Sequence, residues 1–382
     1  MAARVHSVAL NALWLAPGDS GGPETYLREL TRALATEYPR LRIAIFTTTS
    51  GRAALAADGF DEIADLRALP VEEYRRVRRQ VSEQLLLPIA ARRTGAQLLH
   101  SLASTAPMRT LGLPSVVTLH DVTFMHIATF GRVTTWGMTQ VIGRAGHHAD
   151  ALITGSAAAR DDVSATLGLD PAAFSVVPHG VATRPAATPP AGGEDHLRRR
   201  LDVGGRRIVL CVAAVRPHKN QELLVRALPA LPEDTVVVLA GRREPYADEV
   251  ERLARELGVA DRLRLPGYLS AAELELLWTR TACAAFPTRA EGFGLPVLEA
   301  MARAVPVACS DIPVLREVGG ELPRYFDAAD PRAAAAAIAA AASPADAERG
   351  QAGVAHAARF SWAESARGTM AAYERALSAA RK

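Results

Sequence analysis

The sequence predicts an α/β protein built from two doubly wound parallel-sheet domains, and three observations carry that prediction. Short apolar runs bounded by turns alternate with helix-like stretches along the chain. The alternation breaks once, at a Pro- and Gly-rich stretch near the middle, and then restarts. The 382 residues suffice for two domains, and 49% hydrophobic with 22% charged residues is the composition of a chain with ordinary packed cores.

The first strand is read over residues 5–13, a run that superficially resembles the start of a signal peptide. Asn11 interrupts that run, and the Gly/Ser turn after it opens a helix over 24–37 rather than a cleavage site. Further strands are expected over 42–46, 115–119, 151–154 and 175–177. The stretch TRPAATPPAGGE over 183–194 supports neither a strand nor a helix interior and marks the domain boundary. Strands then resume over 208–213, 235–240, 262–265, 282–286 and 305–309, with an alanine-rich helix over 333–342 and a terminal amphipathic helix over 362–380. The expected organisation is a first domain over 1–183, a linker over 184–200, a second domain over 201–358, and a helix over 359–382 returning to the first domain. Sheets of this kind bind ligands beyond the carboxyl ends of their strands, so two of them facing each other would line one interdomain cleft.

A net charge of +3, from 44 basic and 41 acidic side chains, gives no overall field that would recruit nucleic acid. Lysine is nearly absent: only Lys219 and Lys382 occur, so an internal Lys219 invites a question. Cys211, Cys283 and Cys309 are too few and too scattered for a disulfide framework, which fits a reducing cytoplasm, and no CxxC pair suggests zinc. No window reaches the ~20 apolar residues of a membrane span. Gly-Lys-Ser/Thr is missing, which excludes a P-loop, and no Asp-x-Asp pair is present to hold a metal.

The strongest motif is the run from Thr288 to Met301, TRAEGFGLPVLEAM, directly after an apolar strand. Glu291 and Glu299 flank a Gly-Phe-Gly-Leu-Pro turn. Gly292 and Gly294 let backbone amides approach a ligand, and Pro296 suits the first turn of a helix whose exposed amides attract an anion. The alternative is that both acids merely complement the helix dipole.

This segment resembles the E-x7-E motif of the retaining nucleotide-sugar glycosyltransferases of family 4, which share the two-domain GT-B fold. Arg216-Pro-His-Lys219-Asn220, Val177-Pro-His-Gly180-Val181, Leu119-His120-Asp121 and the Gly21-Gly22 loop occur in family order across nearly the whole chain. The resemblance implies that Glu299 binds the ribose hydroxyls of the donor nucleotide and that Glu291 holds hydroxyls of the transferred sugar. It implies that the amides of Phe293, Gly294 and Leu295 face the sugar or diphosphate, and that Lys219 stabilises charge on the leaving diphosphate. His120 would lie near the sugar and the acceptor substrate, with a purely structural histidine as the alternative. Gly21 and Gly22 would bring a helix start towards the diphosphate or acceptor substrate. No metal or cofactor is implied beyond the nucleotide-diphosphate sugar itself.

The chain departs from the family at Ala214, where many members carry an arginine. Arg216 or His218 is read as the replacement cation, with Arg242 a weaker candidate, and a solvated arginine is the alternative for each. Tyr268 either borders the base or packs in the core. The cluster Arg75, Arg76, Arg78 and Arg79, followed by an apolar helix face, is read as a solvated helix or, as in family members with lipid-linked acceptors, a peripheral contact with anionic membrane. The resulting expectation is a cytoplasmic retaining hexosyltransferase acting on a glycan, lipid-linked or small-molecule hydroxyl. A nucleotide-sugar epimerase or hydrolase of the same fold, or a catalytically silent binding partner, are the competing readings.

Overall fold

A computed structural model of the protein describes residues 4–18, 21–71, 76–127, 131–181, 197 and 200–380. The chain forms two compact units, residues 1–180 with 361–382, and residues 181–360.

In the first unit seven strands lie in the order β3-β2-β1-β4-β5-β6-β7, every pair parallel. They are β1 (Ser7–Ala12), β2 (Arg42–Thr47), β3 (Asp65–Ala68), β4 (Leu98–Ser101), β5 (Ser115–Thr118), β6 (Ala151–Thr154) and β7 (Phe174–Val176). The crossovers carry α1 (Gly22–Glu37), α2 (Thr49–Ala57), α3 (Arg76–Arg93), the single turn α4 (Thr123–His126), α5 (Arg132–His148) and α6 (Ala157–Leu167). β1 is buried along its whole length, as expected of a strand covered on both faces. On α1 the helical spacing of Tyr26, Leu27, Leu30 and Leu34 makes one fully buried stripe. That stripe shares a core with Leu10, Ile45, Ile153 and the terminal helix, while α3 seats Leu87 and Ala91 against Ala9, Phe46 and Leu99.

The second unit repeats the plan with six parallel strands in the order β10-β9-β8-β11-β12-β13. These are β8 (Arg207–Val212), β9 (Thr235–Ala240), β10 (Leu263–Gly267), β11 (Thr281–Phe286), β12 (Val307–Ser310) and β13 (Arg324–Phe326). Its helices are α7 (Glu222–Ala227), α8 (Tyr246–Glu256), α9 (Ala271–Thr279), α10 (Leu295–Met301), α11 (Pro313–Gly319), α12 (Pro331–Ala341) and α13 (Ala347–Ala357). The last helix, α14 (Trp362–Ala379), belongs to the first unit, where Ala366, Met370, Tyr373 and Leu377 face α1 and the sheet.

Three strands lie where the sequence reading had none. β3 reads Asp-Leu-Arg-Ala at a sheet edge and is mostly exposed, so it lacks an apolar run. β4 is four residues long and spends half of them on His100 and Ser101, both buried. β13 reads Arg-Tyr-Phe and closes the other sheet's edge. Most of the proposed linker, including residues 184–196, lies outside the described residues. In both sheets the strand order reverses once, between β1 and β4 and between β8 and β11. That is where ligands of such sheets bind.

Candidate active site

In the second unit the chain leaves β8 through the turn Pro217–Lys219, and Asn220 follows with φ of 56°. Asparagine tolerates that left-handed backbone better than most residues. Its buried side chain donates to the carbonyls of Pro287 (3.0 Å) and Ala328 (2.9 Å), tying the turn to the ends of β11 and β13. The Arg289 amide donates to the His218 carbonyl at 2.8 Å, and the Thr288 hydroxyl sits 3.1 Å from the same oxygen. Held this way, the Lys219 ammonium forms an ion pair with the Glu291 carboxylate, both side chains about one-fifth exposed. The two line a pocket at the carboxyl ends of β8 and β11, together with Ala213, Thr288, Gly294 and Pro296.

Gly294 caps α10 with φ of 94°, and a Cβ there would stand 2.6 Å from the Leu315 side chain, so glycine is required on both counts. Leu295 and Pro296 begin the helix. The Phe293 ring turns away into the core, 6.0 Å from the Phe360 ring. Glu299 lies on α10, and burial raises its carboxyl above the usual glutamate range while Arg303 opposes the shift. Arg303, one turn further on, is held by a two-pronged pair with Glu275 of α9, one contact at 2.9 Å, and donates to the Glu299 carbonyl at 2.8 Å.

Arg216 and Arg242 converge on a single carboxylate, Glu244, at 2.9 and 3.2 Å. The sequence reading treated them as separate, solvated or phosphate-facing groups and missed Glu244. Ala214 is pinned through its carbonyl by Gln221 Nε2 at 2.9 Å. Next to it Gly241 approaches so closely that a Cβ would stand 2.2 Å from the Ala213 carbonyl oxygen. Tyr268 is 68% exposed on the loop after β10, which removes the core-packing alternative.

The first unit supplies a different set. Gly21 adopts φ of 59° immediately before α1, and among the described residues no atom lies within 4 Å of a Cβ built on Gly21 or Gly22. Both glycines at the helix start are exposed. In its first turn Glu24 accepts from the Gly18 amide (3.0 Å) and from Arg28 (2.9 Å). His120 follows β5 and donates Nε2–H to the Leu102 carbonyl at 2.8 Å, which leaves the lone pair on Nδ1. Burial lowers its pKa, so the ring is neutral at neutral pH. Its ring meets Tyr26 edge-on at 5.1 Å, and His179 lies 5.6 Å away, stacked in turn on Trp362. Tyr26 and Trp362 had no site role in the sequence reading, and His179 entered it only within the Val177-Pro-His-Gly180-Val181 motif.

α3 carries the predicted arginine cluster, of which Arg75 and the Arg76 side chain lie outside the described residues. Val77, Val81, Leu85 and Ile89, four residues apart, form one exposed apolar stripe between 49% and 74% accessible. The loop that bears exposed Met108 and Leu111 is fastened to α3 through Gln84 and Arg92. No helix among the described residues is long and apolar enough to cross a membrane.

Comparison with known proteins matches residues 20–184 to the family model Glycosyltransferase Family 4 and residues 194–348 to Glycosyl transferases group 1. A D-inositol 3-phosphate glycosyltransferase from Actinosynnema mirum is 32% identical over 307 residues, covering 75% of this chain and 69% of the relative. A GDP-mannose-dependent alpha-(1-6)-phosphatidylinositol monomannoside mannosyltransferase from Mycolicibacterium smegmatis is 33% identical over 175 residues, 43% of this chain. That match spans 45% of the mannosyltransferase, less than half its length. Among solved structures, Anabaena HepE in complex with UDP and glucose has a TM-score of 0.73 at 19% identity, covering 95% of this chain and 98% of that one. Sucrose-phosphate synthase from Thermosynechococcus elongatus gives 0.73 at 20%, with coverages of 96% and 98%. At such identities the structures speak for the fold alone. The transferase models cover both halves, and the Actinosynnema match is too long to lie within either half, so the chain belongs to glycosyltransferase family 4.

Proposed function

We propose that the protein transfers a hexosyl group, with retention and without a metal, from a nucleotide-diphosphate sugar to a hydroxyl of a glycan, lipid-linked or small-molecule acceptor. The observation that carries this reading is the Lys219–Glu291 pair at the carboxyl ends of β8 and β11, with Glu299 on the helix that follows. The relatives and structural neighbours support the donor class: one mannosyltransferase is GDP-mannose-dependent, and HepE was solved with UDP and with UDP-glucose.

In this reading Glu299 accepts hydrogen bonds from the ribose hydroxyls and Glu291 from hydroxyls of the sugar, with the amides of Phe293, Gly294 and Leu295 facing the diphosphate side. As the bond from the sugar C1 to the diphosphate oxygen breaks, negative charge grows on that oxygen, and Lys219 is the cation placed to stabilise it. The acceptor hydroxyl bonds to C1 on the same face, and its proton passes to the departing phosphate oxygens. Arg216 and Arg242 supply further positive charge if the diphosphate displaces Glu244. His120 and the Gly21–Gly22 helix start serve the sugar and acceptor from the first unit. His120 is neutral, so Nδ1 accepts a hydroxyl hydrogen bond without a charge to neutralise. Turnover measured with and without candidate acceptors tests the reading. Acceptor-dependent glycoside formation with the α-configuration kept supports it; free nucleotide or isomerised donor without any acceptor dependence supports the hydrolase or epimerase instead, and no turnover the silent partner.

A cytoplasmic protein sitting on an anionic membrane through α3 is part of the same proposal. Arg78, Arg92 and Arg93 are exposed beside the Val77–Val81–Leu85–Ile89 stripe, and Glu83, the helix's one acid, is buried on the opposite face. Basic and apolar groups sharing one helix face suit anionic lipid. Leu85→Asp with Val81→Asp should abolish cosedimentation with vesicles containing phosphatidylglycerol and leave transfer to a soluble acceptor intact. Equal binding by the wild type to purely zwitterionic vesicles, or none to either kind, would remove the arginines from the account.

A further inference from the structure

A buried chain of hydrogen bonds runs from the terminal helix to Tyr26, whose ring meets His120 edge-on. His100 on β4 is fully buried, and both its ring nitrogens are used: Nδ1 lies 2.8 Å from the Tyr373 hydroxyl on α14 and Nε2 lies 2.8 Å from Thr118 Oγ1 on β5. The same Thr118 oxygen lies 3.3 Å from the Tyr26 hydroxyl. Burial drives the His100 pKa down to about 3, raises Tyr26 to about 12 and raises Tyr373 well above the usual tyrosine range. Every member is therefore neutral across the working pH range. A neutral imidazole donates from one nitrogen and accepts at the other, so the hydroxyl protons order along the chain.

The chain ends on the ring that supports His120. Tyr26 presses edge-on against His120 at 5.1 Å, and Leu102 holds the far side of that imidazole through its carbonyl. Between the carbonyl and the tyrosine, the ring has one orientation in which Nδ1 carries the uncommitted lone pair. A core does not need such hydrogen bonds to close, since replacing both partners of a buried pair by apolar groups of the same shape is nearly neutral. A fully satisfied polar network in such a place specifies geometry.

We propose that Tyr26 is the positioning residue for His120, and that Tyr373 of the terminal helix holds Tyr26 in place through His100 and Thr118. The functional half of this inference rests on the reading of His120 given above; the structural half does not.

Two measurements separate them. Side-chain NMR of histidine-labelled protein should show the His120 resonances displaced or broadened in both Tyr26→Phe and Tyr373→Phe, with those of exposed His147 and His148 unmoved. Unchanged His120 resonances in both variants would overturn the positioning itself, whatever the enzyme does. In turnover, Tyr26→Phe should lower kcat roughly tenfold and Tyr373→Phe about threefold, with donor KM within about twofold, since misplacement of a reacting group by a fraction of an ångström costs rates of this order. In a His120→Asn background neither substitution should lower kcat further. Losses that persist in that background would overturn the claim that they act through His120. Full activity of His120→Asn alone would remove the functional half and leave the NMR result standing.

Discussion

The two sheets share one strand order over six strands, yet the loops at their switch points are chemically opposite. In the second unit the loops after β8, β9 and β11 and the helices beside them bring charges together: Lys219 with Glu291, Arg216 and Arg242 on Glu244, and Arg303 with Glu275 beside Glu299. In the first unit the corresponding region holds a glycine turn and a group of neutral rings, Tyr26, His120, His179 and Trp362. One scaffold thus presents a surface suited to a polyanion and another suited to hydroxyl groups. What differs is not the fold but a few residues in the loops after the strands and in the helices beside them, which is where function is written on doubly wound sheets.

The comparison breaks first at Lys219. Lys219→Ala should lower kcat by roughly a hundred- to a thousandfold, the scale of losing one preorganised transition-state charge, while Tm should fall modestly because the mostly buried Glu291 carboxylate loses its partner. A loss of less than about fivefold would put the leaving-group charge elsewhere.

Next is Glu299→Gln, for which donor KM should rise about tenfold, from the loss of charge-assisted hydrogen bonds. Its stability should move the other way. The carboxyl's folded-state pKa lies above its unfolded value, so its contribution favours the fold below the ordinary glutamate range and is lost as pH rises through the raised value. Neutralising it at pH 7 should raise Tm slightly, and at pH 4 the difference should shrink. For the same reason the wild-type donor KM should begin to climb on acidification at a higher pH than an ordinary glutamate would allow.

Asn220 sharpens the argument at smaller scale. Asn220→Gly keeps the left-handed backbone and removes the bonds to Pro287 and Ala328, so it should cost about 1 to 2 kcal/mol in urea unfolding and a several-fold fall in kcat. Asn220→Ala should be worse, because it adds backbone strain at φ of 56°. The smallest effect is expected for Arg216→Gln, a kcat loss of no more than about tenfold with unchanged Tm, since its exposed pair with Glu244 contributes little to stability.

Much of the second unit's chemistry was legible because it lies in short contiguous motifs. The glycines, proline and acids of the 288–301 segment announce a turn, a helix start and two carboxylates in order. The neutral group of the first unit was not legible, because its members are brought together only by folding. His100 and Tyr373 touch across 273 positions, and β4 is too short and too polar to look like a central strand. The shared role of Glu244 was hidden for the same reason, 28 residues from Arg216. Asn220 was visible but its task was not: an asparagine beside a lysine gives no sign of the two carbonyls it reaches. On α3 the arginines and an apolar face were both visible in the sequence, whereas which apolar residues stay exposed emerged only once the buried face of the helix was known.

The claim on which the rest depends is that the charged switch point of the second unit holds the diphosphate nucleotide of the donor. Thermal unfolding of the wild type and Glu299→Ala against a panel of nucleoside diphosphates and nucleotide sugars tests it most directly, because a ligand bound only by the folded state stabilises it, by about 2.7 kcal/mol at a hundredfold excess over Kd. The account predicts that one base, as diphosphate or sugar nucleotide, raises the wild-type Tm and leaves the variant unmoved. A wild type indifferent to every member of the panel, or a variant stabilised as much as the wild type, would contradict it.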